Sequence, residues 1–274
     1  YISQPAVTKH IHELEQQFGA ALFERKGRQI SLTPAGEIVL QHAETIQATY
    51  RQLEYELNAL KGQRSGVLQI GASTTVAQYV LPPVLAHFHV KYPEVSIALI
   101  SANTEQIEQA LLNKEIEVGI VEGRTHLHEL HYEPLMEDEI VLIAKADHPL
   151  VQRDEVSLDE LKTYPLVLRE RGSGTLEVIE YALKDHDIKL SDLTIAMYLG
   201  STEGIKSYLF NSNSLAFISV YAVSNEIKNG TFRILDVKGL TISRYLYTIQ
   251  RQGDTESLAD SFLRFARKHY NNSL

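Results

Sequence analysis

The sequence predicts a multidomain α and α/β protein, in which a small helical unit, a long helix and a two-lobed α/β domain follow one another. Its 274 residues exceed the length that a single hydrophobic core usually serves. Amphipathic helical and hairpin patterns occupy residues 1–33, and a heptad pattern occupies residues 34–62. From residue 66 onward, apolar strand patterns alternate with helical patterns, which is typical of parallel sheets.

Composition excludes several classes of protein. The chain has no cysteine, which excludes a disulfide framework, thiolate metal ligands and a cysteine nucleophile. Neither a secretory signal pattern nor an apolar run of roughly 20 residues is visible in the sequence. We therefore expect a cytoplasmic protein without a membrane partner.

The charge is distributed unevenly along the chain. The net charge is −9, yet residues 1–33 hold four basic and three acidic side chains, net +1, while the remainder holds 22 basic and 32 acidic ones, net −10. The local distribution of charge decides whether a surface attracts nucleic acid. A small DNA-contacting unit on an acidic body is therefore compatible with this sequence.

The first unit begins with a predicted helix. Ser3 is placed to cap a helix that starts at Gln4, Pro5 is tolerated in the first turn, and Gly19 supplies a C-terminal stop. The apolar stripe comprises Val7, Ile11, Leu14 and Phe18. The opposite face carries groups suited to base edges and phosphates, from Gln4, Pro5, Thr8, Lys9 and His12.

A short hairpin follows in "ALFERKGRQISL", whose apolar residues alternate around Lys26–Gly27. Arg25, Lys26 and Arg28 would stand at its tip, within reach of phosphates or a minor groove. From these features alone, an amphipathic helix followed by a solvated basic turn is an equally good interpretation.

The segment "SQPAVTKHIHELEQQFGAALFERKGRQISLTPAGE" closely resembles the DNA-binding region of LysR-type bacterial transcriptional regulators. That resemblance implies a winged helix-turn-helix on double-stranded DNA, with two further helices before the recognition helix that this chain lacks. It also implies DNA contacts from the recognition helix and from the wing. The implied residues are Gln4, Pro5, Thr8, Lys9, Arg25 and Arg28, and the helical face alone adds His12.

Residues 34–62 form a predicted long helix, with Thr33 as its cap and Pro34 at its first position. At 1.5 Å per residue it would be about 42 Å long. Its heptad seam favours pairing with a second copy, although a helix lying along its own domain is the alternative. The seam comprises Val39, Ala43, Ile46, Tyr50, Leu53, Leu57 and Leu60. The resemblance implies a linker helix whose dimer brings two recognition helices to an inverted repeat.

Residues 66–274 predict two α/β lobes, which we name lobe I (about 66–143 and 242–274) and lobe II (about 144–241). The crossover strand is predicted near "EIVLIAK" and the return strand near "RYLYTIQR", with the final helix packed on lobe I. The resemblance implies an effector domain similar to periplasmic binding proteins. One departure is that Ser212 and Ser214 stand where relatives have glycine, which predicts a different local backbone.

Ligands of open α/β sheets bind beyond the carboxyl ends of strands. Three such turns combine small residues with hydroxyls in "GASTT", "RERGSGT" and "LGSTEG", which predicts a small effector, an inorganic or carboxylate anion. Glu122 would repel an anion unless it turns away or is protonated, which argues for a ligand with a hydrogen-bond donor or a cationic part. Arg169 would add positive charge if it faces inward. Each turn taken alone is more often an ordinary helix cap than a binding site. The candidate residues are Ser73, Thr74, Thr75, Asn103, Glu122, Gly172, Ser173, Gly174, Thr175 and Thr202.

Other functions are less well supported. His126, His128 and His131 lie within six residues, which could indicate a metal site, but an exposed loop is the commoner meaning of such a segment. No nucleophile elbow, Walker loop or dinucleotide fingerprint occurs, so we expect no enzyme, cofactor or metal. A secreted solute-binding protein would explain two lobes but not residues 1–62. We therefore predict a LysR-type regulator that acts as a dimer of dimers, answers to a small effector and contacts RNA polymerase.

Overall fold

The computed structural model describes residues 3–27, 29–60, 65–252 and 257–271. The chain divides into two compact units, Tyr1–Glu54 and Tyr55–Leu274. None of the described helices is both long enough and apolar enough to cross a membrane.

The first unit contains α1 (Gln4–Phe18), β1 (Phe23–Lys26), β2 (Gln29–Leu32) and the first part of α2 (Pro34–Leu60). Gly19 ends α1 in the left-handed conformation, with φ of 63°, as predicted. Lys26 pairs with Gln29 in the hairpin of β1 and β2. Arg28 itself and the predicted helix end near Gly62 lie outside the described residues.

The predicted side-chain cap of α1 is wrong. Ser3 occupies the N-cap position, but its hydroxyl makes no capping hydrogen bond. Its carbonyl oxygen instead accepts the first helical hydrogen bond from the Val7 N–H at 3.1 Å. A capping hydroxyl bonds to the second or third N–H of a helix, and Pro5 at the second position has none to offer.

Lobe I consists of a β-α series that the last helix completes. Its elements are β3 (Gly66–Ser73), a π-helical segment (Val76–Val80), α3 (Leu81–Lys91), β4 (Val95–Ala102), α4 (Thr104–Leu112), β5 (Val118–Glu122) and α9 (Leu258–Asn271). The π-helical segment leads directly into Pro82 and Pro83, which lack the N–H groups of a regular α-helix.

Lobe II contains a second series, joined to lobe I by two long strands. The joining strands are β6 (Leu130–Lys145) and β11 (Ile242–Arg251). Lobe II itself comprises a 3-10 turn (Pro149–Gln152), α5 (Leu158–Leu161), β7 (Leu166–Arg169), α6 (Gly174–Lys184), a 3-10 turn (Leu190–Asp192), β8 (Ile195–Leu199), α7 (Thr202–Phe210), β9 (Leu215–Ser219), α8 (Val220–Lys228) and β10 (Phe232–Leu235).

One sheet runs through both lobes in the order β4-β3-β5-β11-β6-β9-β7-β8, with β10 also on β6. β3 is parallel to β4 and β5, and β7 is parallel to β8 and β9, as the alternating pattern predicts. β6 and β11 pair antiparallel from Leu130 with Arg251 to Ile140 with Ile242. The crossover strand therefore begins nine residues before the predicted "EIVLIAK", because β11 pairs with its first half as well.

The hydrophobic cores confirm the predicted packing of the last helix. Phe262 of α9 is fully buried in the lobe I core, where its ring meets that of Phe88 at 5.3 Å between centroids. Lobe II packs both faces of its sheet in two further clusters. Neither Ser212 nor Ser214 has a positive φ, so neither adopts the left-handed conformation that would favour glycine there.

Candidate functional site

The predicted DNA-contacting face of α1 is accessible. Gln4, Thr8, Lys9 and His12 are all exposed, and no residue of α1 is fully buried. The Thr8 hydroxyl donates to the Gln4 carbonyl oxygen at 3.0 Å. Lys9 Nζ lies 3.7 Å from a Glu13 carboxylate oxygen, and both side chains are largely exposed. An exposed ion pair of this kind is weak, so Lys9 is available to a phosphate.

The hairpin is attached to both helices of its unit. Glu15 Oε1 of α1 accepts from the Leu22 N–H at 2.8 Å, and this hydrogen bond lowers the pKa of Glu15. The Thr33 hydroxyl donates to the Ala21 carbonyl oxygen at 2.6 Å and accepts from the Gly36 N–H at 3.0 Å, which caps α2 as predicted. These contacts fix exposed Arg25 and Pro5 on the same small unit.

The predicted heptad seam of α2 carries large apolar side chains that are open to solvent in the single chain. Leu53 and Leu57 are both 49% exposed, and Leu60 is 86% exposed. Ile46 and Tyr50 are more exposed than Leu53, Ala43 is exposed, and Val39 is partly buried. A row of apolar side chains without cover on a single helix is typical of an unpaired coiled-coil seam.

Glu122, at the end of β5, is the centre of the junction between the lobes. Its carboxylate is 1% exposed and accepts hydrogen bonds from the hydroxyls of Ser73 in lobe I and Thr175 in lobe II, the latter at 3.0 Å. Arg244 Nη1 lies 3.5 Å from Glu122 Oε1. The structure thus brings together three predicted residues, two of them as donors to the third.

Arg244 and Asp138 complete this junction, and no pattern in the sequence indicates a role for either. They are cross-strand partners on β11 and β6. Arg244 Nε donates to Asp138 Oδ2 at 2.7 Å, and Nη1 donates to the Thr175 hydroxyl at 2.8 Å. The Ser219 hydroxyl at the end of β9 donates to Asp138 Oδ1 at 2.8 Å. Both charges are buried, so each depends on the other for charge compensation.

The "RGSGT" turn of lobe II contacts the start of α4 in lobe I. The Glu105 N–H donates to the Gly172 carbonyl oxygen at 3.1 Å, and the Gly174 N–H donates to the Thr104 hydroxyl at 3.3 Å. That hydroxyl in turn donates to the Glu122 carbonyl oxygen at 2.8 Å. Asn103 caps α4 by accepting from the Gln106 N–H at 3.0 Å. Asn103, Gly172 and Gly174 therefore join the lobes.

Three buried polar atoms at the strand ends have no hydrogen-bond partner among the described residues. They are Thr74 Oγ1, Ser173 Oγ and Arg169 Nη1. Arg169 Nε and Nη2 donate to the Glu170 carboxylate at 2.9 and 3.0 Å. An unpaired buried donor costs about 1–3 kcal/mol, so such atoms mark a place where a ligand can supply a partner.

The other predicted residues of the effector site lie at the same ends of the strands. Thr75 and Thr202 are both 2% exposed, in the first turns after β3 and β8. The Ser201 hydroxyl accepts from the Gly204 N–H at 3.0 Å and caps α7. For "LGSTEG", the ordinary helix-cap interpretation therefore accounts for Ser201, while Thr202 is buried beside it.

Two further contacts join the lobes at their margins. The Glu177 carboxylate of α6 accepts from the N–H groups of Arg124 and Thr125 at 3.1 and 2.8 Å. Tyr79 of lobe I donates to Glu203 of α7, which also pairs with Lys206 at 2.7 Å. Burial lowers the pKa of Lys206, but hydrogen bonds to Glu203 and Glu226 outweigh it and raise the pKa above its usual value.

The histidine-rich segment forms an aromatic contact. The His126 ring stacks on Tyr132 at 4.1 Å between centroids and meets the edge of Tyr247 at 4.9 Å. His128 and His131 are exposed. Within the described ranges, no three His, Cys, Asp or Glu side chains are placed to hold a metal ion together.

Two family descriptions match the chain. "Bacterial regulatory helix-turn-helix protein, lysR family" matches residues 1–37, and "LysR substrate binding domain" matches residues 61–271. The HTH-type transcriptional regulator CysL of Bacillus subtilis is 33% identical over 245 residues, 89% of this chain and 81% of CysL. The HTH-type transcriptional activator CmpR of Synechocystis sp. PCC 6803 is 30% identical over 270 residues, 98% of this chain and 88% of CmpR.

Solved structures share the fold. The regulatory domain of CcmR from Synechocystis PCC6803, in complex with 2-PG, matches with a TM-score of 0.68 and 27% identity, over 75% of this chain and 98% of that domain. CbnR, a LysR family transcriptional regulator, matches with a TM-score of 0.72 and 18% identity, over 97% of this chain and 90% of CbnR. CbnR has also been solved with its target DNA.

Proposed function

Since this chain belongs to the LysR family of transcriptional regulators, we propose that it binds an inverted-repeat operator as paired dimers, under the control of a small effector held between its lobes. The observation that carries the DNA-binding role is the family match over residues 1–37, where α1 exposes Gln4, Thr8 and Lys9 on one face. Its curated relatives are transcriptional regulators, which supports a function other than catalysis. We place it in the cytoplasm, in contact with RNA polymerase.

In the proposed complex, α1 is the recognition helix. Gln4 and Thr8 offer an amide and a hydroxyl to base edges, and Lys9 offers an ammonium group to a phosphate. Pro5 and His12 contribute to the same face. Arg25 and Arg28 of the wing reach the backbone or the minor groove.

Lys9→Ala is expected to weaken DNA binding by the full-length protein and to reduce the slope of log K against log[salt] by about 0.9, because one phosphate contact is lost. The measurement is a salt titration by fluorescence anisotropy, with a duplex that the wild-type protein selects from a random-sequence library. Lys184→Ala, which removes an exposed lysine on α6, is the control and should leave the slope unchanged. An unaltered slope for Lys9→Ala would show that Lys9 contacts no phosphate.

Dimerisation through the α2 seam would place two copies of α1 at the half-sites of the operator. Val39, Ala43 and Ile46 form one end of the seam, and Tyr50, Leu53, Leu57 and Leu60 continue it. In favour of the seam are its exposed apolar side chains and its heptad spacing. Two such dimers would form the proposed tetramer.

Leu53→Glu is expected to shift the protein toward monomer, because a carboxylate would enter an apolar seam beside its own copy. Leu40→Glu is a matched control, since Leu40 is 47% exposed on the same helix but lies off the seam. Light scattering at several concentrations measures the mass of each variant. Retention of the wild-type mass by Leu53→Glu would contradict the seam.

Effector control is proposed to act by linkage. A ligand that binds one arrangement of the lobes more tightly shifts the population toward it, and a ligand without that preference regulates nothing. Support comes from CcmR, whose regulatory domain was solved in complex with 2-PG, and from the buried unpaired atoms of Thr74, Arg169 and Ser173. The contacts of Glu122, Thr175 and Gly174 across the junction make it the element whose equilibrium an effector would bias.

A further inference from the structure

We propose that Glu122 determines the charge of the effector by occupying the anion subsite that Ser73 and Thr175 would otherwise form, so that anions are excluded from this end of the cleft. This inference rests on the proposed effector site. It implies that the effector presents a neutral or cationic hydrogen-bond donor toward Glu122. The sequence alone leaves open both a small anion and a ligand with a donor or a cationic part, and the contacts of Glu122 favour the second.

The hydroxyl protons that an anion would need are already used. A serine or threonine hydroxyl has one proton to donate. Ser73 donates it to Glu122 Oε2, and Thr175 donates it to Glu122 Oε1 at 3.0 Å. The Thr175 oxygen also accepts from Arg244 Nη1 at 2.8 Å, and the Ser73 oxygen accepts from the Val76 N–H at 3.4 Å. Glu122 thus acts as a bound carboxylate that belongs to the chain.

The charge balance at the junction opposes a second anion. Glu122 and Asp138 are 1% and 4% exposed, and Arg244 is the cation that contacts both. Because two carboxylates face one guanidinium, the three side chains together carry an excess negative charge. An anionic ligand placed among them would be buried beside two like charges, which is strongly unfavourable where water is excluded.

The other buried cations are each paired with a carboxylate of the chain. Among the described residues, the buried cationic side chains besides Arg244 are Arg169 and Lys206. Arg169 forms a two-point ion pair with Glu170 through Nε and Nη2, and its Nη1 is left without a partner. Lys206 pairs with Glu203 and Glu226, each at 2.7 Å. An external anion would therefore bind at Ser73 and Thr175 only after the Glu122 carboxylate has been removed.

The experiment replaces Glu122 and asks whether an external anion takes its place. Glu122→Ala and Glu122→Thr are titrated as full-length proteins with sodium acetate and with sodium sulfate, against sodium chloride at equal ionic strength. The readouts are the melting temperature and calorimetric titration. Both variants are expected to bind acetate or sulfate at least tenfold more tightly than wild type does, and adding Ser73→Ala should abolish this gain.

Glu108→Ala is the matched control. Glu108 is also a buried glutamate of lobe I, and its carboxylate accepts from the Tyr132 hydroxyl at 2.6 Å. Burial raises its pKa, and Glu105 and Glu177 add to the rise through their negative charge. Removal of Glu108 therefore creates a space with negative surroundings and should produce no anion binding.

Two results would overturn the inference. The first is saturable binding of acetate or sulfate to the wild-type protein that Ser73→Ala weakens, because the subsite would then accept anions with Glu122 present. The second is the absence of anion binding in a Glu122 variant that melts cooperatively. If Glu122→Thr does not fold, Glu122→Ala decides. If neither variant folds without added anion, failure of acetate to restore folding contradicts the inference. Neither result bears on DNA binding, which the Lys9→Ala titration tests separately.

Discussion

Arg244→Met is expected to destabilise the larger unit by about 3–5 kcal/mol, because Glu122 and Asp138 would remain buried after their shared cation is lost. Methionine keeps most of the side-chain volume, so the loss reports charge and hydrogen bonding more than cavity formation. The effect is large because Arg244 contacts Asp138 at 2.7 Å and Thr175 at 2.8 Å, and these belong to different elements. Urea unfolding followed by circular dichroism measures the change in the free energy of unfolding.

Arg171→Met is the control for this prediction, since Arg171 is an exposed arginine of the neighbouring turn. A surface substitution of this type usually changes stability by less than about 0.5 kcal/mol. Combining Arg244→Met with Asp138→Asn should recover part of the loss, because one of the two stranded charges is then removed. A loss below about 1 kcal/mol for Arg244→Met alone would show that water or a neighbouring group compensates both carboxylates.

Local periodicity explains which parts of the fold the sequence predicted. The apolar stripe of α1, the alternation of β1 and β2 and the buried runs of β3, β5 and β9 each depend on residues a few positions apart. The ends of those strands follow from the same patterns. The sequence patterns therefore predict that Ser73, Glu122 and Thr175 lie at the same end of the sheet. In the structure, hydrogen bonds join the three residues.

Long-range register explains what the sequence missed. Arg244 and Asp138 are 106 residues apart and lie within strands, where a charge is ordinarily an outward-facing residue. Only the pairing of β11 with β6 makes them opposite neighbours. The side-chain cap at Ser3 depends on local geometry: Pro5 removes one of the two N–H groups that a capping hydroxyl can bond, and the Ser3 hydroxyl makes no hydrogen bond to the other. The charge of Glu122 is enough to predict that it opposes an anion. Its hydrogen bonds to the hydroxyls of Ser73 and Thr175 cannot be predicted in this way, because they depend on the folded geometry.

Glycine at position 174 joins the lobes because there is no space for a side chain. A Cβ atom there would lie 1.9 Å from the Glu122 carbonyl oxygen and 2.8 Å from the Thr104 hydroxyl oxygen. The first of these atoms belongs to the backbone of β5 and cannot turn away. The close approach allows the Gly174 N–H to reach Thr104, so this contact holds the start of α6 against the end of β5.

Gly174→Ala is therefore expected to separate the two lobes at this point and to destabilise the larger unit by about 1–3 kcal/mol or more, the usual cost of overpacking a tight contact. The same substitution at exposed Gly200, where a Cβ would meet no atom within 4 Å, is the control. Urea unfolding measures stability, and amide hydrogen exchange reports the contact itself, since the N–H groups of Glu105 and Gly174 should lose protection. Unchanged exchange at both amides would show that the added Cβ is accommodated and that the lobes remain in contact.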